Sequence, residues 1–186
     1  MQKNKRAMLI LNGVGFVIFI ASAILLRFYV QLVRPQDTAG LSGSIQGFAE
    51  MLWIIFLLLL DIILLIILHE GVHGICFWLI TGKRPLFSIG PGYASAAAPR
   101  SLISRKPYLV TALSPLVVLT VIGLILIPVA SPGWLFYLEL FIVMNISGAV
   151  GDLWVAGTIF PRSEPLLVQD FGDQVLVFQP EKKTAL

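Results

Sequence analysis

The sequence predicts an all-α membrane protein, with four transmembrane helices and a short cytoplasmic β-hairpin between helices two and three. Three observations predict it. Apolar residues fill 58% of the 186 positions against 12% charged, and the mean hydropathy is +0.92. That is too little charge to cover a soluble surface of this size, and soluble folding would leave apolar patches that drive aggregation. The apolar residues are gathered into four long stretches, each meeting the roughly 20 residues needed to cross a hydrocarbon core. The lysines and arginines sit in short segments flanking those stretches, where they orient a membrane protein. The net charge of +3 therefore points to a lipid bilayer and not to nucleic acid. The chain reads as a single membrane domain over residues 1–186, with a three-helix core at 51–160 and a cytoplasmic tail at 161–186.

The first stretch is Met8–Val30, interrupted only by Arg27. Lys3, Lys5 and Arg6 before it, and Ala21-Ser22-Ala23 within it, imitate a cleaved signal. The apolar run continues through Ile24–Leu26, however, and exceeds the short apolar region of a signal peptide, so the helix is expected to stay uncleaved. The second stretch runs from about Met51 to Thr81 and contains Asp61 and the segment His69–His73. The third is about Leu109–Ala130, with Pro115 and Pro128 near its ends. The fourth is about Trp134–Phe160 and contains Glu139, Asn145 and Asp152.

Orientation follows from the connecting segments. Lys3, Lys5 and Arg6 precede the first stretch, and Lys83, Arg84, Arg100, Arg105 and Lys106 lie between the second and third. Between the first and second there is only Arg34, and Ser131–Gly133 has no charge. Both termini and the middle segment are expected to face the cytoplasm. In that middle segment, Leu86–Ile89 and Tyr93–Ser95 flank Gly90-Pro91-Gly92, a turn signal between two strands. In the tail, Val175–Phe178 reads as one strand and Glu181–Leu186 as a fraying end.

The chemistry is concentrated in His69-Glu70-Gly71-Val72-His73, an H-E-x-x-H pattern. Histidines four apart on a helix share one face about 6 Å along the axis, so both imidazoles can grip one zinc ion. The glutamate between them is placed to take a proton from an attacking water. The chain has only two histidines, and both lie in this motif. Imidazoles and a carboxylate inside an apolar span are unfavourable without a function.

Catalytic zinc commonly has three protein ligands and an open position. The candidates for the third are Asp61, Cys76, Glu139 and Asp152. Lys83 follows His73 by ten residues and Arg162 follows Asp152 by ten, so both sit about 15 Å inside the cytoplasmic boundary on helices running the same way. Asp61 lies roughly 12 Å from His69 toward the other side and reads as a helix-pairing or hydrogen-bonding group. Glu139, near the outer end of its span, reads as snorkelling to the headgroups. Cys76 is the rival, because 69, 73 and 76 share a helix face; its other reading is a small apolar filler. As the only cysteine, it excludes an internal disulfide or a multi-cysteine zinc site. Asn145 is seven positions before Asp152. It either assists a developing oxyanion, which requires a helix break near Gly148–Gly151, or makes a structural interhelix hydrogen bond.

These residues resemble the site-2 protease class of intramembrane zinc proteases, especially a small family of zincin peptidases within it. The resemblance covers roughly Met51–Phe160, with the first helix as an addition. It implies that His69, His73 and Asp152 bind Zn2+, that Glu70 is catalytic and that Asn145 assists. It also implies that strands near Leu86–Ala98 hold an extended substrate by edge addition. Familiar members carry Leu-Asp-Gly after a proline, whereas this chain has Gly151-Asp152-Leu153. The function expected is hydrolysis of peptide bonds in membrane-protein substrates, with Glu70 as general base. The alternative is a non-catalytic zinc-binding membrane protein, either an inactive protease-like scaffold or a metal carrier. A carrier would place polar groups along both halves of a path, and here they cluster at one depth.

Overall fold

A long apolar run leaves its backbone polar groups satisfied only by internal hydrogen bonds, and an α-helix makes all of them within one segment. In a computed structural model, which describes residues 5–37, 47–90, 93–162 and 165–179, the four stretches are helical. Helix α1 is Lys5–Val33 and α2 is Phe48–Thr81. Helix α3 is Arg105–Leu126, continued by a 3-10 turn at Ile127–Val129. The fourth stretch is divided into α4 (Pro132–Gly148) and α5 (Val150–Ile159). Among the described residues, four helical segments are long and apolar enough to cross a membrane: Met8–Val33, Phe48–Thr81, Arg105–Val129 and Pro132–Ile159. Side chains such as Leu9, Phe16, Leu32 and Leu79 stand largely exposed along them, which suits a lipid environment. The expected turn residues Pro91 and Gly92, the basic Lys3 and the end Glu181–Leu186 lie outside the described residues.

The chain divides into two compact units. One comprises Met1–Ile67 and Leu116–Gly151. Its core joins Leu26 and Val30 of α1 to Ile127, Leu135, Ile142 and Val143. The Tyr29 hydroxyl donates to the Leu124 carbonyl at 3.1 Å, and Arg34 donates to the carbonyls of Ile127 and Ala130 while pairing with Asp37. One sequence expectation changes here. Glu139 pairs with Arg27 at 3.4 Å instead of snorkelling, because in apolar surroundings each charge is stabilised by the opposite charge of the other. One Asp61 carboxylate oxygen is buried with no hydrogen-bond partner among the described residues. Asn145 is buried and donates its amide to the Leu116 carbonyl at 3.4 Å and to the Thr120 hydroxyl at 3.1 Å.

The other unit comprises Leu68–Pro115 and Asp152–Leu186. After α2, strands β1 (Leu86–Gly90) and β2 (Tyr93–Ala97) pair antiparallel, with Leu86 opposite Ala97 and Gly90 opposite Tyr93. Phe87 of β1 packs against α2 at Gly74, where a Cβ would come within 2.4 Å of the Phe87 ring. The glycine after the second motif histidine thus admits the sheet. A second sheet has the order β3-β4-β5, all antiparallel: β3 is Ile103–Ser104, β4 Leu167–Asp170 and β5 Val175–Phe178. The tail therefore forms a hairpin, where one strand was expected. Asp170, Gly172 and Asp173 are turn residues between two apolar runs, and Gly172 adopts φ +88°, a conformation that favours glycine. The core of this unit gathers Phe77, Ala96, Ile103, Tyr108, Ile159 and Val168, among others.

Candidate metal centre

His69 and His73 stand one helical turn apart on α2, their ring centroids 5.1 Å apart. Asp152 sits in the first turn of α5, which is an end of a helix that favours negative charge. The two carboxylate oxygens divide between the imidazoles. His69 Nε2 lies 3.1 Å from Asp152 Oδ2, and His73 Nε2 lies 3.4 Å from Asp152 Oδ1. One ligand atom from each of the three residues falls within 4.8 Å of the other two.

His73 is oriented from behind. Its Nδ1 lies 2.9 Å from the Thr111 carbonyl of α3. A carbonyl only accepts, so Nδ1 carries the proton and the Nε2 lone pair faces the carboxylate. That carbonyl also accepts from the Ser114 hydroxyl at 2.8 Å, and the local sequence spares it the usual ladder bond. The residue four positions on is Pro115, which has no N–H to give it in the helix ladder. Two acceptors facing each other require a proton or a cation between them, so this donor set of two imidazoles and a carboxylate fits a zinc ion. Pro115→Ala restores the missing N–H. It should lower zinc affinity by about 10–100-fold, the usual effect of losing a supporting hydrogen bond behind a ligand, as read by competition with a chelating dye.

Glu70 is one residue from His69 and accepts a hydrogen bond from the Ala96 amide of β2 at 2.7 Å. Its carboxylate thus has a fixed position on the wall of a cavity of about 130 Å³, which His73, Tyr108, Ala96, Asp152 and Asp170 also line. Among the described residues, three carboxylates and no lysine or arginine line this cavity, a setting that favours a divalent cation. Cys76 is engaged elsewhere, its thiol donating to the Ser114 hydroxyl at 3.2 Å, and it is outside the three-residue group. Asn145, held by Leu116 and Thr120, is not among the residues lining the cavity.

Residues 62–164, more than half of the chain, match a family described as "Putative zincin peptidase". The chain belongs to this zincin peptidase family. The matched span contains His69, Glu70, His73 and Asp152, and it ends before β4. No curated protein and no solved structure gives a match.

Two residues of the cavity escape a reading of the zincin motif. Tyr108, on the first turn of α3, donates its hydroxyl to Asp170 Oδ2 at 2.6 Å. Asp170 Oδ1 accepts from the Gly172 amide at 2.7 Å. Burial pushes the Asp170 carboxyl above the usual carboxylate range, against the opposing pull of those two donors. The two partners are 62 residues apart, so no local pattern announces them.

Proposed function

We propose that this chain is an intramembrane zinc metalloprotease of the site-2 type, hydrolysing peptide bonds of membrane-protein substrates. The observation that carries this reading is the convergence of His69, His73 and Asp152 on one point, with the Glu70 carboxylate lining the same cavity. A zinc ion held there would supply a Lewis acid that polarises the scissile carbonyl and makes water easier to deprotonate. Asp152 and the two imidazoles would hold the ion, and Thr111 keeps the His73 Nε2 lone pair turned toward that position. Glu70 takes a proton from water as the water oxygen adds to the carbonyl carbon. It returns that proton to the departing amine as the C–N bond breaks. Asn145, on the likeness to the class, assists substrate or oxyanion binding, although its present hydrogen bonds support the structural role equally. The substrate helix must unwind first, because its own hydrogen bonds bury the peptide bond. An unwound segment can then pair with the edge of β2 that faces away from β1.

The test is metal removal on purified protein in lipid vesicles, with a single-span substrate. Chelation should abolish cleavage, and restoring about one zinc per chain should recover it. Zinc flux across the vesicles without cleavage would favour the metal-carrier alternative and overturn the protease reading. Zinc binding with neither flux nor cleavage would favour an inactive scaffold.

We further propose a multi-pass topology with both termini on the cytoplasmic side, supported by the five basic residues between the second and third apolar stretches. Reporter fusions at Asp37 should be extracytoplasmic, and fusions at Arg100 and Gln179 cytoplasmic. A cytoplasmic Asp37 fusion would overturn this orientation.

A further inference from the structure

Strand β2 has two edges with different occupants. Toward β1 it pairs Leu86 with Ala97, Ser88 with Ser95 and Gly90 with Tyr93. Along a β-strand, alternate residues direct their backbone N–H and C=O to the same edge. The outer edge is identified by its partners: the Ala96 amide donates to Glu70 at 2.7 Å, and the Ala98 amide, just past the strand, donates to the Asp170 carbonyl at 3.2 Å. By the same alternation the Ala94 amide faces this edge, and Ala94, Ser95 and Ala96 line the cavity. The edge that borders Glu70 is therefore closed at its Ala98 end by the end of β4.

That closure is anchored at several points. The Tyr108 hydroxyl and the Gly172 amide hold the Asp170 carboxylate from both sides. Gln169 donates its side-chain amide to the Pro99 carbonyl at 2.7 Å. Val168, opposite Ile103, is fully buried. The turn is pressed onto β2: a Cβ on Gly172 would stand 2.6 Å from the Ser95 hydroxyl oxygen. Displacing β4 would unmake all of these bonds and expose Val168 and a buried carboxyl, so an incoming peptide has no inexpensive way to take the Ala98 position.

We propose that the β4–β5 hairpin, latched by Tyr108 and Asp170, sets the cleavage register by ending the β2 edge at Ala96. This rests on the protease reading and names what selects the bond cut. The substrate it fits is an extended segment that pairs at Ala94 and Ala96 and then terminates or turns away before Ala98. Pairing at Ala96 uses the amide that Glu70 now accepts from, so the base is released beside the metal ligands when the segment engages. Asp170 and Tyr108 act as positioning residues, and they belong in part to a segment outside the family match.

The test maps the product ends by mass spectrometry after cleavage of one single-span substrate in lipid vesicles. The wild type should cut one main bond, and Glu70→Gln should cut none. Gly172→Val, which forces the turn off β2, and Tyr108→Phe combined with Asp170→Ala, which opens the latch, should add cuts displaced by about two residues, the repeat of a β edge. Zinc content should stay near one per chain in both. Amide hydrogen exchange supplies a readout independent of activity: Ala98 should exchange slowly in the wild type and faster in both variants. A fast-exchanging Ala98 in the wild type overturns the proposal, as does an unchanged single cut in a variant whose Ala98 has been freed. Absence of Glu70-dependent cleavage in a wild type with a slow Ala98 instead overturns the protease reading beneath it.

Discussion

Replacing Glu70 by glutamine should leave about one zinc per chain and abolish most turnover. The substitution preserves the size of the side chain and its capacity to accept from the Ala96 amide. It removes the only function a carboxylate adds there, which is to take a proton and return it. Loss of a general base alone costs on the order of 10²–10⁴ in rate. Here the same group is assigned both proton transfers, so a loss of several orders of magnitude is expected. Metal analysis and product formation on the same preparation separate the two effects. Turnover that survives Glu70→Gln would mean that another group is the base.

Replacing Asp152 by alanine should strip the metal as well as the activity. Asp152 is the single anionic member of the three-residue group and places one oxygen toward each imidazole, at 3.1 and 3.4 Å. Without it, two neutral nitrogens remain, and the expected fall in zinc affinity exceeds the roughly 10–100-fold of a lost supporting hydrogen bond. Cys76→Ala should leave metal and activity nearly intact, because that thiol is bonded to Ser114 and acts as a small filler of its helix face. Metal content after gel filtration, compared across the two variants, decides between them. The assignment is falsified if Cys76→Ala loses the zinc while Asp152→Ala keeps it.

Much of this site was legible from residues close in sequence. The spacing of His69 and His73 dictates a shared helix face wherever the segment is helical, and the apolar run around them makes it helical. Apart from the resemblance to the site-2 class, Asp152 stands out through its distance from Arg162, a depth argument that holds because an α-helix rises uniformly. Charge pairing was harder to read. Glu139 looked like a snorkelling group from its own span alone, and its pairing with Arg27 joins residues 112 positions apart. Pro115 was visible as a proline in a span. What it does, leaving the Thr111 carbonyl without its ladder donor so that His73 can use it, depends on which helix lies opposite.

The sequence by itself determined the four apolar helices, the two short strands on either side of Gly90-Pro91-Gly92 and the one-turn spacing of His69 and His73, because each rests on periodicity, length or spacing between residues close in sequence. It also carried the family, since the matched span 62–164 contains the motif and Asp152. Only the tertiary structure decided the surroundings of that motif. Tyr108 meets Asp170, Ala96 meets Glu70 and β4 meets the end of β2 through contacts between distant segments. Such contacts are chosen by the packing of whole elements, and a local pattern of residue types carries no record of them.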